Sequence, residues 1–131
     1  MKILIVDDSM LDRKLIINAL KKSNVNHEII QAVNGEEGLK IIEQEQMNIG
    51  LVLLDWQMPK MDGVEFMRRV CVNPQWAAIP IVMVTASGSA ENKQFIQGVN
   101  PKLAGYVVKP YKVDYLISVI WPLIYGQSKT D

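Results

Sequence analysis

Short Val/Ile/Leu-rich runs alternate with amphipathic segments along the whole chain. That alternation predicts a doubly wound α/β domain, with a five-stranded parallel sheet in (βα)5 order between two helical layers. A second observation supports it. Four of the runs stop at a polar residue with chemical capability: Lys2-Ile3-Leu4-Ile5-Val6 at Asp7-Asp8, residues 51–54 at Asp55, residues 81–84 at Thr85, and Tyr106-Val107-Val108 at Lys109-Pro110. The C-terminal ends of parallel strands share one edge of the sheet. In open α/β sheets that edge is where ligands bind.

Each element has a local reason. The first strand is apolar at nearly every position, as expected of a strand buried on both faces. Ser9 caps a first helix with Leu11, Leu15, Ile16, Ala19 and Leu20 on its apolar side. The second strand spans Glu28 to Val33. Asn34-Gly35-Glu36-Glu37 resembles a capping box and opens a helix running to about Gln46. The third strand ends at Asp55. A loop from Trp56 to Gly63 leads to a short helix that closes at Val72, before Asn73-Pro74. The fourth strand begins near Pro80 and the next helix near Ser89. The fifth strand is Gly105 to Val108, and the last helix runs from Val113 to about Ile124, with Pro122 expected to kink or end it. One domain over 1–125 and a short frayed tail over 126–131 account for the chain.

Composition narrows the function. The 131 residues suit one domain with a real core. Fourteen basic and fourteen acidic residues cancel, which argues against nucleic-acid binding by bulk charge. No apolar run approaches the roughly 20 residues of a membrane span. The chain opens directly on the first strand without a signal peptide, and its single cysteine, Cys71, reads as a core thiol. These features suit a cytoplasmic protein.

The strand-end residues make one chemical set. An Asp-Asp pair alone is read as a helix cap region. Joined by Asp55, the pair becomes a cluster of hard oxygen ligands suited to Mg2+, an ion that accepts few carboxylates and keeps waters for a phosphate to replace. The cluster repels itself, so a cation is expected there. Lys109 offsets further negative charge, and the following proline fixes a turn that aims it at the edge. Thr85 offers a hydroxyl to a phosphoryl oxygen.

The set Asp7-Asp8, Asp55, Thr85-Ala86 and Lys109-Pro110, with Asp-Trp-Gln-Met-Pro-Lys-Met-Asp-Gly over 55–63, resembles the receiver domain of two-component response regulators over nearly the whole chain. Trp56 after the acceptor, and Gly105-Tyr106-Val107-Val108-Lys109-Pro110-Tyr111, are similar to stand-alone chemotaxis-type receivers. The resemblance implies a flavodoxin-like fold. It implies that Asp55 takes a phosphoryl group from a sensor histidine kinase or a histidine phosphotransfer protein, and that the signal passes to a downstream protein. It also implies Mg2+ held by Asp8, Asp55 and the main-chain carbonyl of Gln57, with Asp7 acting through water. Thr85 and Lys109 are implied to hold the phosphoryl oxygens, Tyr106 to be an aromatic switch, and Gln57 and Ser87 to tune the phosphoryl lifetime. Such a protein is a switch rather than an enzyme in the ordinary sense.

Some readings stay open here. A phosphoryl shuttle and a phosphorylation-independent scaffold are the alternative functions. Trp56 is placed equally by the metal or by packing. Val99 to Ala104 is about two residues longer than in chemotaxis-type members. The last helix carries a core stripe of Val113, Leu116, Ile117, Ile120 and Ile124. Tyr115, Val119 and Leu123 form a second stripe. That surplus favours a homodimer or partner interface through helix 4, strand 5 and helix 5.

Overall fold

The computed structural model describes residues 1–127. The tail expected over 126–131 therefore falls mostly outside the described residues. The elements are β1 (Lys2–Val6), α1 (Met10–Lys22), β2 (Glu28–Ala32), α2 (Gly35–Glu45), a 3-10 turn (Gln46–Asn48), β3 (Ile49–Leu54), α3 (Gly63–Val72), β4 (Ile81–Thr85), α4 (Ala90–Val99), β5 (Gly105–Val108) and α5 (Val113–Tyr125). The strands form one sheet in the order β2-β1-β3-β4-β5. Every pairing is parallel. The chain turns to β2 on one side of β1 and continues through β3 on the other. A crevice must open where these directions diverge, at the C-terminal ends of β1 and β3.

The alternating direction of strand side chains sorts the core into two layers. Ile3, Ile5, Leu51, Leu53, Val82, Val84 and Val107 face α1 and α5. Leu4, Val6, Val52, Leu54, Ile81 and Met83 face α2, α3 and α4. Caps sit where the sequence places them. Ser9 accepts from the Asp12 N–H, Asn34 from Glu37 and Ser89 from Asn92, and Asp62 caps α3 through the Glu65 N–H.

Several expectations need correction. Leu11 and Leu15 do not pack on the sheet but stand exposed, because α1 turns Ile16, Ala19 and Leu20 onto it, with Ile17 beside them. Cys71 is half-buried at the edge of the second layer rather than in its centre. Val33 lies beyond the end of β2 and is exposed. Pro122 does not end α5. It lies one turn from the end, and the carbonyl deprived of its donor belongs to solvent-exposed Ser118. The helix continues to Tyr125 and closes on Gly126, in the left-handed region at φ 76°, whose N–H donates to the Pro122 carbonyl at 2.8 Å.

The stripes of α5 also change meaning. Val113 is exposed, while Leu116, Ile117 and Ile120 are buried. In the second stripe Tyr115 is exposed, but Val119 and Leu123 pack against the first core layer. A Cβ on Gly105 would lie 2.6 Å from the Val119 side chain, so a strand without a side chain at that point lets α5 settle onto β5. The surplus of apolar residues is thus largely consumed inside the domain.

Candidate functional site

The crevice gathers residues that are far apart in sequence. One carboxylate oxygen from each of Asp7, Asp8 and Asp55 lies within 4.8 Å of the other two. Asp7 is 1% exposed at the end of β1, Asp8 is exposed on the following turn, and Asp55 is half-buried at the end of β3. Lys109, at the end of β5, reaches all the way across. Its Nζ lies 2.7 Å from Asp7 Oδ2, 2.9 Å from Asp12 Oδ2 and 3.4 Å from Asp55 Oδ2. The Lys109-Pro110 bond is cis.

Burial and charge set the protonation. Burial pushes the Asp7 carboxyl above the usual carboxylate range, outweighing the hydrogen bond from Lys109. Burial alone would lower Lys109, but the Asp7 and Asp12 hydrogen bonds and the Asp55 charge raise it above the usual lysine range. These directions agree with one ammonium divided among three acids.

The loop after β3 is shaped by close backbone contact. The Trp56 N–H donates to Asp55 Oδ1 at 2.7 Å, and the Gly63 N–H donates to the Trp56 carbonyl at 2.7 Å. The loop is tied to α2 where the Gly35 N–H meets the Met61 carbonyl at 3.0 Å. The Trp56 ring stacks on Phe95 of α4, with centroids 5.8 Å apart, so packing sets its place. Gln57 is exposed on this loop.

Thr85 is buried at the end of β4, and its Oγ1 accepts the Ser87 N–H at 3.4 Å. Tyr106 donates its hydroxyl proton to the Ser87 carbonyl. Ser87 therefore touches both residues. Lys93 of α4 lies over the Tyr106 ring at 5.8 Å. The link after α4 is a closed turn: Asn100 Oδ1 accepts the Lys102 N–H, and the Ala104 N–H donates to the Ile81 carbonyl.

Two residues of the site escaped the sequence reading. Asp12 lies in the first turn of α1, where an acid is explained by the helix dipole alone. Buried Arg13 donates to the Asp7 carbonyl at 2.7 Å and to Gln31 at 2.9 Å, fixing the turn after β1 to β2. The only available signal for either was its spacing from Asp7-Asp8 on a helix that starts at Met10.

Fold and crevice define a class: a doubly wound α/β protein with a carboxylate cluster and one lysine at the point where strand order reverses. Residues 3–121 match the response regulator receiver domain, and the chain belongs to that family. It is 30% identical over 111 residues to a chemotaxis protein CheY homolog of Campylobacter jejuni, covering 85% of this chain and 82% of that protein. It is 31% identical over 118 residues to the sensor histidine kinase CheAY of Helicobacter pylori, covering 90% of this chain but only 14% of that protein. Among solved structures, Vibrio cholerae CheY4 superposes with a TM-score of 0.80 at 29% identity, covering 94% of this chain and 98% of that one. The Mn(2+)-bound form of response regulator Rcp1 superposes with a TM-score of 0.78 at 28% identity, covering 98% of this chain and 99% of that one.

Receiver domains are switches of two-component signalling that interact with histidine kinases and downstream targets, and they bind a divalent metal at an acidic pocket. The Asp7-Asp8-Asp55 oxygens fit such an ion, being hard donors gathered in one place. No helix among the described residues is long and apolar enough to cross a membrane.

Proposed function

We propose that the protein accepts a phosphoryl group on Asp55 from the phosphohistidine of a sensor histidine kinase or histidine phosphotransfer protein. The observation that carries this reading is the Lys109 ammonium set among Asp7, Asp12 and Asp55 at the strand-order reversal. An Asp55 oxygen attacks phosphorus, the P–N bond breaks, and the imidazole leaves with the electron pair and takes up a proton. The product is an acyl phosphate. Asp8, Asp55, the Gln57 carbonyl and, through water, Asp7 would hold Mg2+, which neutralises charge on the phosphoryl oxygens. Lys109 and Thr85 bind those oxygens, since phosphoryl transfer needs mainly positioning and charge neutralisation.

The response follows from the same contacts. Thr85 can turn to a phosphoryl oxygen by giving up its long bond to the Ser87 N–H. Ser87 then carries the acceptor of Tyr106 with it. The added charge of roughly −1.5 to −2 is enough to bias such a loop. Gln57 and Ser87 flank the acceptor and set how long the group survives. The signal leaves through the face of α4, β5 and α5, where Lys93 lies over Tyr106 and Tyr115 is exposed. A downstream protein, or a second copy of the chain, binds there. Val119 and Leu123, partly buried against the core, offer that contact only the part of each side chain left exposed.

The test is incubation with acetyl phosphate and Mg2+, read by intact mass. A single alkali-labile phosphoryl adduct is expected in the wild type and none in Asp55→Asn. Undiminished labelling of that variant rejects the assignment. The metal has its own test. Asp8→Ala removes a ligand and relieves carboxylate repulsion. It is expected to raise the melting temperature of the metal-free protein and to remove the further rise that Mg2+ gives the wild type. An unchanged Mg2+ response in thermal denaturation rules out Asp8 as a direct ligand.

A further inference from the structure

An ammonium group has three N–H donors, and in Lys109 three different carboxylates take them up and share its charge. Asp7 and Asp55 come from strand ends. Asp12 reaches in from the first turn of α1, with its own N–H held by Ser9 Oγ at 3.1 Å and its carboxylate 2.9 Å from Lys109 Nζ. Its side chain is 33% exposed, so the pair is partly shielded from solvent. Asp12 is not among the three acids gathered within ligand distance of one another, and its carboxylate bonds to the lysine instead.

Resting on the phosphoryl-acceptor reading, we propose that Asp12 is a positioning residue. It holds the Lys109 ammonium toward α1, withholds part of its charge from the phosphoryl group, and so sets the balance between metal and phosphoryl binding. The sign follows from charge. The negative charge of Asp12 favours any cation in the crevice and opposes any anion. Lys109 does not depend on Asp12 for its place, because it is also bonded to Asp7 at 2.7 Å and is 14% exposed. Removing the Asp12 charge therefore returns the full ammonium to the site without releasing the side chain. Metal binding weakens and phosphoryl binding strengthens. A residue that merely braced α1 would act differently, since a loosened crevice holds both ligands less well.

The experiment uses the full chain in four variants: Asp12→Asn, which keeps the shape, Asp12→Ala, Asp12→Glu, and Glu36→Gln as a control that removes an exposed charge on α2. Mg2+ alone is titrated by tryptophan fluorescence. Beryllofluoride, a phosphoryl mimic, is titrated at saturating Mg2+. In Asp12→Asn and Asp12→Ala, Mg2+ affinity is expected to fall and beryllofluoride affinity to rise, each about two- to fivefold, the size of one partly exposed charge pair. Asp12→Glu restores both toward wild type, and Glu36→Gln moves neither. Affinities that shift together, or that do not shift, overturn the role of Asp12. If the wild type itself neither binds beryllofluoride nor is labelled by acetyl phosphate, the phosphoryl-acceptor reading falls, and this role falls with it.

Discussion

Gly63→Ala is expected to destabilise the protein by about 2–4 kcal/mol, in the range of an overpacked site that cannot relax, and to remove labelling of Asp55. A Cβ at position 63 would overlap the Asp55 carbonyl oxygen and lie 3.0 Å from the Trp56 Cα. Those atoms are backbone and cannot swing aside as a flexible side chain would. The Gly63 N–H also closes the loop onto the Trp56 carbonyl. Relief of the overlap must therefore displace the acceptor itself, so stability and activity fall together. Gly98→Ala is the internal control. Nothing lies within 4 Å of its Cβ position in α4, and the change is expected to stabilise the protein by about 0.5–1 kcal/mol. Urea denaturation of both variants, with acetyl phosphate labelling of Gly63→Ala, checks the pair. Wild-type labelling of Gly63→Ala would show that the loop has another way to close.

Lys109→Ala is expected to lower stability at neutral pH by on the order of 3 kcal/mol, the cost of breaking a largely buried ion pair. It leaves Asp7, at 1% exposed, without its cation and beside the Asp55 carboxylate. The deficit is pH-dependent, with a definite sign. The Asp7 carboxyl is already raised in the folded protein by burial, and loss of the ammonium raises it further. A raised folded-state value means that the protonated form is the stabilised one. The Asp7 contribution is thus present at low pH and is lost as pH rises through the folded-state value. The gap between wild type and variant is expected to narrow on acidification. Added Mg2+ should narrow it at neutral pH by the same neutralisation. Denaturation curves across pH, with and without Mg2+, measure this. A gap that stays constant with pH would assign the loss to packing of the lysine stem instead.

Much of the domain was legible in the sequence. Asp7, Asp8, Asp55, Thr85 and Lys109 stand where apolar runs end, and parallel pairing carries such ends to one edge. The cap residues Ser9, Asn34 and Ser89 announced three helices, because a capping bond closes within three residues and needs no tertiary partner. The near-continuous burial of β1 and β3 was visible as unbroken apolar runs.

What the sequence could not decide was orientation around each helix and the sharing of charge between elements. Leu11, Leu15 and Val113 read as core by spacing, yet the tilt of a helix on a twisted sheet chooses which of its turns touch. Val119 read as surplus because nothing local reveals that Gly105, on another element, leaves room for it. Asp12 carried no signal of its own, since an acid in a first helical turn is ordinary. Its bond to Lys109 joins residues separated by 97 positions and exists only once α1 and β5 flank the same crevice. Periodicity and capping are properties of neighbours in sequence, and they are written there. Which side chains meet across the sheet depends on how whole elements pack, and only the tertiary structure decides it.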